Sequence, residues 1–471
     1  MSEELTTISA SRLAGLIRRR EVSPSEAAEA YVRRVEAVNP ELNAVVAVAP
    51  DVLAQAREAE RALAAGGEVG PLHGVPLTVK ETIDVRGLPA TAGSRARAGR
   101  IADGDAPAVG RLRAAGALLL GKTNCSELGL EYVSENEVYG RTLNPFDPER
   151  TAGGSSGGCG AAVAAGLAAA SLGSDLSGSV RIPAHFCGVT GLRPTSARVP
   201  GGGHFPPIEG AYALGGGLGP LARSVEDLGL FYGVLSGAPT QAGAGREPAD
   251  ARGLRFAWFE DDGEAPVTFE TRAAVRAAAA ALQDAGLAGV EARPPHVAHA
   301  TELWLSLYAD ATARFLRTVY DGREEDAGPP ARAILARAAG AGPAVAFTAA
   351  RARRDLLREE LLRWMEATPL LVAPVGLVPA FRHEESRRVE VEGHSFSTFR
   401  AFGLAQFCNV FDLPAACVPA GRTTEGLPVG VQLIGRPLEE ASVLAAAAHV
   451  ERALGGWRPP TPLPHGGPNR V

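Results

Sequence analysis

Apolar positions recur with helical spacing from the start of the chain. Residues 5 to 38 read as two amphipathic helices. The second opens at Ser23-Pro24-Ser25-Glu26, with an N-cap serine, proline at the first helical position and a glutamate three residues beyond the cap. Its inner face is Ala28, Tyr31, Val32, Val35 and Val38. After Asn39-Pro40 the pattern changes to a short strand over Ala44 to Val48, then to an Ala/Glu/Arg helix that stops at Gly66-Gly67. A β-branched strand pattern runs up to Lys80, a helix over Ala106 to Ala115, and a buried strand from Ala117 into a polar end at Gly121-Lys122-Thr123-Asn124. Further on, Thr271 to Ala285 and Arg351 to Ala367 read as helices, the latter with Leu356, Leu357, Leu361 and Trp364 on one side. Strands follow at Leu370 to Pro374, Ala415 to Pro419 and Gly430 to Gly435, and a last helix covers Glu439 to Leu454. Segment 236 to 252 reads as an exposed connection and the tail from Trp457 as coil. Strands interleaved with helices throughout, without internal repeats, predict an α/β fold with a central sheet.

One stretch departs from this alternation. Gly153 to Gly158 reads Gly-Gly-Ser-Ser-Gly-Gly, a small-residue, helix-like run covers Cys159 to Leu172, and Gly173 to Pro183 reads Gly-Ser-Asp-Leu-Ser-Gly-Ser-Val-Arg-Ile-Pro. Hydroxyls and unhindered backbone N–H groups are thus offered twice within about thirty residues, the material of a serine nucleophile beside an oxyanion site.

The totals narrow the class. A length of 471 residues ensures a sizeable core, and 46% hydrophobic with 21% charged residues describes a soluble globular protein. The net charge of -6, with arginines scattered, argues against a nucleic-acid partner. No apolar run reaches the ~18 residues of a membrane span, and the Met1-Ser2-Glu3-Glu4 start is acidic, so a cytoplasmic location is expected. Five cysteines (125, 159, 187, 408, 417) without CxxC spacing suggest buried thiols rather than disulfides or zinc. His296 and His299 lack a carboxylate cluster, so no metal and no cofactor is assigned.

Among 47 Lys plus Arg, only Lys80 and Lys122 are lysine. Arginine serves for surface ion pairs but cannot give up its proton, so these two lysines are the candidate bases. Lys80 ends an apolar strand, and Glu81 next to it should face the opposite side. Working near neutral pH requires its pKa to fall from ~10.4 by about three, roughly 4 kcal/mol and within reach of burial. Lys122 is the rival, read as structural.

Three chemistries compete for the serines. A P-loop needs Gly-Lys-Ser/Thr, and no lysine lies in the stretch. An α/β-hydrolase elbow needs Gly-x-Ser-x-Gly, which Gly154-Ser155-Ser156-Gly157 misses by one residue. A serine activated through lysine uses every feature noted so far. On these residues the chain resembles the amidase signature family. The match covers Gly74 to Glu81, Gly121 to Asn124, Gly153 to Gly158, Gly173 to Pro183, Phe186 to Thr195, Gly219-Pro220, Arg223 to Asp227, Asn409, Leu413-Pro414 and Gln432 to Gly435.

The resemblance implies the family's central mixed β-sheet surrounded by helices, a single domain over 1–471, and a variable helical specificity region at about 240–400. It implies Ser179 as nucleophile, Ser155 as bridging serine after a cis peptide, and Lys80 as base. Backbone N–H groups of Leu176, Ser177, Gly178 and Ser179 would hold the oxyanion. Ser156, Asp175 and Arg181 would support the loop. Where the family commonly has two glycines before the nucleophile this chain has Ser177-Gly178, which crowds the loop or lends it a hydroxyl. His185 and His204 read as structural or exposed, and Trp304, Tyr308 and Phe315 as core rather than acyl pocket. The implied activity is hydrolysis of a linear carboxamide through an acyl-enzyme, releasing ammonia or an amine. The partner is a small-molecule amide, with no nucleic acid and no membrane, and the chain is compatible with a homodimer. The alternative is the glutaminase subunit of a tRNA-dependent amidotransferase, which needs an acid to grip glutamine's ammonium; Arg400 to Asn409 holds none.

Overall fold

A computed structural model describes residues 2–237, 254–337 and 345–460. Eleven strands form one sheet. In chain order they are β1 (Val45–Val48), β2 (Pro76–Lys80), β3 (Leu118–Thr123), β4 (Ala170–Asp175), β5 (Thr190–Arg193), β6 (Gly217–Ala222), β7 (Arg255–Trp258), β8 (Ala288–Glu291), β9 (Leu370–Pro374), β10 (Ala415–Arg422) and β11 (Pro428–Gly435). Their spatial order is β1-β3-β2-β4-β6-β5-β10-β11-β9-β7-β8. β3, β2 and β4 run parallel to one another, as do β9, β7 and β8, and the remaining pairs are antiparallel, so the sheet is mixed as expected. Every residue of β2, β3, β4, β6, β9 and β11 is buried. Successive strand residues point to opposite faces, so burial at every position means that both faces are covered.

Most of the expected elements form, with shifts that have physical reasons. The Ser23 side chain accepts from Glu26 N, and Glu26 returns the bond to Ser23 N, completing a capping box. That helix, Pro24–Leu42, continues through Asn39-Pro40, where the sequence pattern placed its end. Proline in the last turn forfeits only one helical hydrogen bond. Asn39 fastens the next segment: its Oδ1 accepts from Ala44 N and Val45 N while its Nδ2 donates to Val45 O, tying β1 to the helix end.

The small-residue run Cys159 to Leu172 is not one helix. It divides into a helix at Gly157–Ala164 and β4, which pairs with a strand on each side. On the helix Val345–Trp364 the buried stripe runs through Ala350, Arg354 and Leu361, with Leu357 partly buried, and it leaves Leu356 66% exposed. Leu356 lies one residue, about 100°, off that stripe. Helices at Ala300–Tyr320 and Gly403–Phe411 complete the surroundings of the site. The connection expected at 236 to 252 lies almost wholly outside the described residues, as does most of the tail. No helix among the described residues is long and apolar enough to cross a membrane.

Candidate active site

The parallel strands β2 and β4 pair Thr78 with Ser171 and Val79 with Leu172. Their C-terminal ends therefore deliver Lys80 and the Ser174-Asp175 pair to one edge, where open α/β sheets carry their ligands. Lys80 is fully buried, and its Nζ lies 2.7 Å from Ser155 Oγ and 2.9 Å from Ser174 Oγ. Burial pushes its pKa down, opposed by the Cys125 and Cys159 thiols and the Asp175 charge. The two thiols are themselves pushed up by burial, so at neutral pH they carry no charge. Glu81 faces away: its carboxylate accepts from Thr91 N at 2.6 Å, Thr91 Oγ1 at 2.9 Å and Tyr139 OH at 3.0 Å.

Ser155 follows a cis peptide after Gly154. A side chain at Gly154 would meet Glu131 O and Val133 N at 2.6 Å, so only glycine lets the cis turn lie against that segment. Ser156 N donates to Ser179 O at 3.2 Å, which ties the Ser155 turn to the loop carrying Ser179. Ser156 Oγ donates to Ser174 O at 3.2 Å and serves structure, as expected. Among the described residues Ser179 Oγ makes no hydrogen bond.

The loop from Leu176 to Val180 is wrapped around Asp175. Asp175 Oδ1 accepts from Gly178 N at 2.8 Å and Oδ2 from Val180 N at 3.1 Å. Arg181 joins both oxygens at 3.0 and 3.1 Å and reaches Gln432 Oε1 and Asn409 Oδ1, each at 2.8 Å. Burial alone would raise the Asp175 pKa, but the Arg181 charge, with bonds from Arg181, Asn409 and Val180, holds it well below the usual carboxylate range. Asn409 and Gln432, more than 200 residues away in sequence, thus converge on one buried guanidinium. Gly178 has φ +102°, and a side chain there would meet Ala405 Cβ at 2.7 Å.

This wrapping changes the expected oxyanion set. Gly178 N–H is taken by Asp175, whereas among the described residues the N–H groups of Leu176, Ser177 and Ser179 make no hydrogen bond. Three of the four expected donors are thus without a partner among the described residues. Ser177 is the side chain that departs from a glycine pair. Its hydroxyl pairs with Tyr132 OH at 2.5 Å, and Tyr132 OH accepts from Gln406 Nε2 at 3.0 Å, so the extra hydroxyl anchors the loop rather than crowding it.

Lys122 is held differently from Lys80. Its Nζ donates to the carbonyls of Glu81, Ile83 and Pro89, acceptors that suit an ammonium, and burial lowers its pKa only to about 8. His185 is structural: its ring accepts from Gly430 N at 2.7 Å and bonds Val378 O. His204, read as structural or exposed, instead reaches Ser174 Oγ at 2.9 Å, the same hydroxyl that touches Lys80. Trp304 donates from Nε1 to Leu176 O at 2.9 Å and packs on Phe399 with ring centres 4.9 Å apart, so its role exceeds core packing. Tyr308 is buried core, and Phe315 packs on Phe205. Sequence patterns missed Ser174 and Tyr132, since neither a serine in a Gly/Ser run nor an isolated tyrosine carries a signal of its own. All five cysteines are free and buried.

Comparisons with known proteins agree with this geometry. A family model described as Amidase matches residues 26–444. An acylamidase from Rhodococcus erythropolis is 35% identical over 97% of both chains. A glutamyl-tRNA(Gln) amidotransferase subunit from Chloroflexus aurantiacus is 34% identical over 94% of this chain and 95% of its own. The solved structure of 6-aminohexanoate cyclic dimer hydrolase with substrate superposes with a TM-score of 0.83 at 32% identity, covering 97% of this chain and 99% of that one. The sheet, the lysine beneath two serine-bearing loops and these matches lead to one conclusion: the chain belongs to the amidase signature family and is an amidase, a hydrolase of carbon–nitrogen bonds in amides.

Proposed function

We propose that the protein hydrolyses linear carboxamides through an acyl-enzyme on Ser179, with Ser155 as proton bridge and Lys80 as base. The observation that carries this is a fully buried lysine amine whose described partners are two hydroxyls, one of them Ser155. An amine held neutral by burial has a lone pair to offer. Lys80 takes the Ser155 proton, and Ser155 takes the Ser179 proton as Ser179 Oγ bonds the carboxamide carbon. The carbonyl electrons move to oxygen, opposite the N–H groups of Leu176, Ser177 and Ser179, where each donor contributes about 3 kcal/mol. Collapse breaks the C–N bond, and the proton returns through Ser155 to the leaving nitrogen. Water then releases the acid by the same steps in reverse, and esters follow the same route.

Specificity lies within residues 240–400, since the helix Ala300–Tyr320 from that region sends Trp304 onto the oxyanion loop and Phe399 packs beside it. Five free, buried thiols fit a reducing compartment, and the cytoplasm is the proposed location.

A fluorophosphonate probe followed by peptide mapping tests the chemistry: the adduct is expected on Ser179, and labelling of another serine overturns it. A second reading, the glutaminase component of an amidotransferase, draws on the amidotransferase relatives. The segment 400–409 offers no carboxylate for an ammonium group. Turnover of simple amides by the chain alone, without partner subunits, decides for the free amidase; an idle chain that wakes with a partner decides against it.

A further inference from the structure

A base that is buried beside two hydroxyls must divide its hydrogens and its lone pair between them. A neutral amine has two N–H groups and one lone pair. Lys80 touches Ser155 Oγ at 2.7 Å and Ser174 Oγ at 2.9 Å, and each hydroxyl can donate or accept. If Ser174 donates to Lys80, the lone pair is spent and Ser155 keeps its proton. If Ser174 accepts, the lone pair is left for Ser155.

His204 removes the ambiguity. Its Nδ1 lies 2.6 Å from Pro206 O, and a carbonyl can only accept, so Nδ1 carries the hydrogen. Burial pushes the ring's pKa well below its usual range, so Nε2 carries a lone pair at working pH. That nitrogen stands 2.9 Å from Ser174 Oγ and 3.1 Å from Thr82 Oγ1. Of the two hydroxyls, Ser174 is the nearer and also accepts from Lys80, which polarises its own O–H toward the ring.

We infer that His204 is a positioning residue that draws the Ser174 proton away from Lys80 and so aims the lysine lone pair at Ser155. The chain of bonds then has one direction: Lys80 N–H to Ser174, Ser174 O–H to His204 Nε2, His204 Nδ1–H to Pro206 O. No group changes protonation state on this side of the lysine; His204 acts on orientation alone. The inference rests on the Ser179–Ser155–Lys80 reading above.

The test is the rate of fluorophosphonate acylation at Ser179, with circular dichroism as a check of folding. H204L is expected to slow acylation roughly 10- to 100-fold with little change in the probe concentration at half-maximal rate. H204Q, whose amide can donate to Pro206 O and accept from Ser174, is expected to stay within about fivefold of wild type. The decisive arm is H204L combined with S174A. With the Ser174 hydroxyl gone, the lone pair faces Ser155 alone, and the double variant is expected to acylate faster than H204L and at the rate of S174A alone. T82V, which among the described residues leaves Ser174 as the one hydroxyl on Nε2, is expected to be no slower than wild type. An H204L rate equal to wild type, or a folded double variant as slow as H204L, overturns the inference. K80M run alongside separates the two readings: if it labels as fast as wild type, the assignment of the base itself has failed.

Discussion

Two buried lysines stand on neighbouring strands, and only one of them meets partners that suit the proposed base. Lys80 and Lys122 are both fully buried, and β2 and β3 bring them within one residue of register, Lys80 opposite Thr123 and Val79 opposite Lys122. The difference is in what surrounds each nitrogen. Lys122 meets three carbonyls, which can only accept, so every contact favours three N–H donors and the charged form. Lys80 meets two hydroxyls, which can also donate, so its neutral form loses no partner. Burial lowers both pKa values, but it takes hydroxyl partners to make a lone pair usable. Desolvation alone does not define a catalytic lysine.

The comparison can be broken in four ways. The largest effect is expected from K80M, which should lower kcat/KM by roughly 10³- to 10⁴-fold, whereas K122M, assayed as folded protein, should stay within about threefold of wild type. Equal losses in both would erase the distinction. Next, S174D converts the first site into the second by giving Lys80 an acceptor-only neighbour. It should hold the ammonium and cost at least about 10²-fold in kcat, and a folded S174D enzyme with normal turnover would refute the role assigned to hydroxyl partners. Third, K122M strips the donor from three carbonyls and should destabilise the fold by about 3 kcal/mol in urea unfolding, a loss that K80M should not share.

The smallest effect is on pH. Lys80 is depressed below its usual 10.5, so between its folded value and 10.5 the unfolded chain binds a proton there that the native state does not. Stability from this group therefore rises with pH, by up to about 1.4 kcal/mol per unit, between its folded value and 10.5. The difference in unfolding free energy between K80M and wild type should shift in favour of wild type from pH 7 to pH 9. Activity should fall on the acid side of the same folded value, because the ammonium has no lone pair.

Much of this site was legible in sequence because the chain is nearly free of lysine, so Lys80 and Lys122 stand out against an arginine background. Gly/Ser clusters marked both serine loops, and helical periodicity with Ser23-Pro24 marked the opening helices. What could not be read depends on distant contacts. β4 is built of Ala, Ser, Leu and Gly, a composition that suits a small-residue helix equally well; it is a strand because β2 and β6 flank it. The Gly178 N–H reads in sequence as an oxyanion donor, but the Asp175 carboxylate takes it. Ser177 became intelligible only with Tyr132, 45 residues earlier, in place. His204 could be weighed only as one histidine among nine, since nothing local says that its ring ends on Ser174.

The indole of Trp304 carries a lesson for anyone who would retarget this enzyme. The helix Ala300–Tyr320 lies in the region proposed to set specificity, and its Trp304 N–H holds the carbonyl of Leu176, a residue of the loop proposed to hold the oxyanion. On the proposed function, substrate choice and rate are mechanically joined at one bond. A chimera that imports another enzyme's specificity helix will shift the loop unless it also supplies a donor at position 304, so grafts should be selected first for that anchor and only then for the shape of the new pocket.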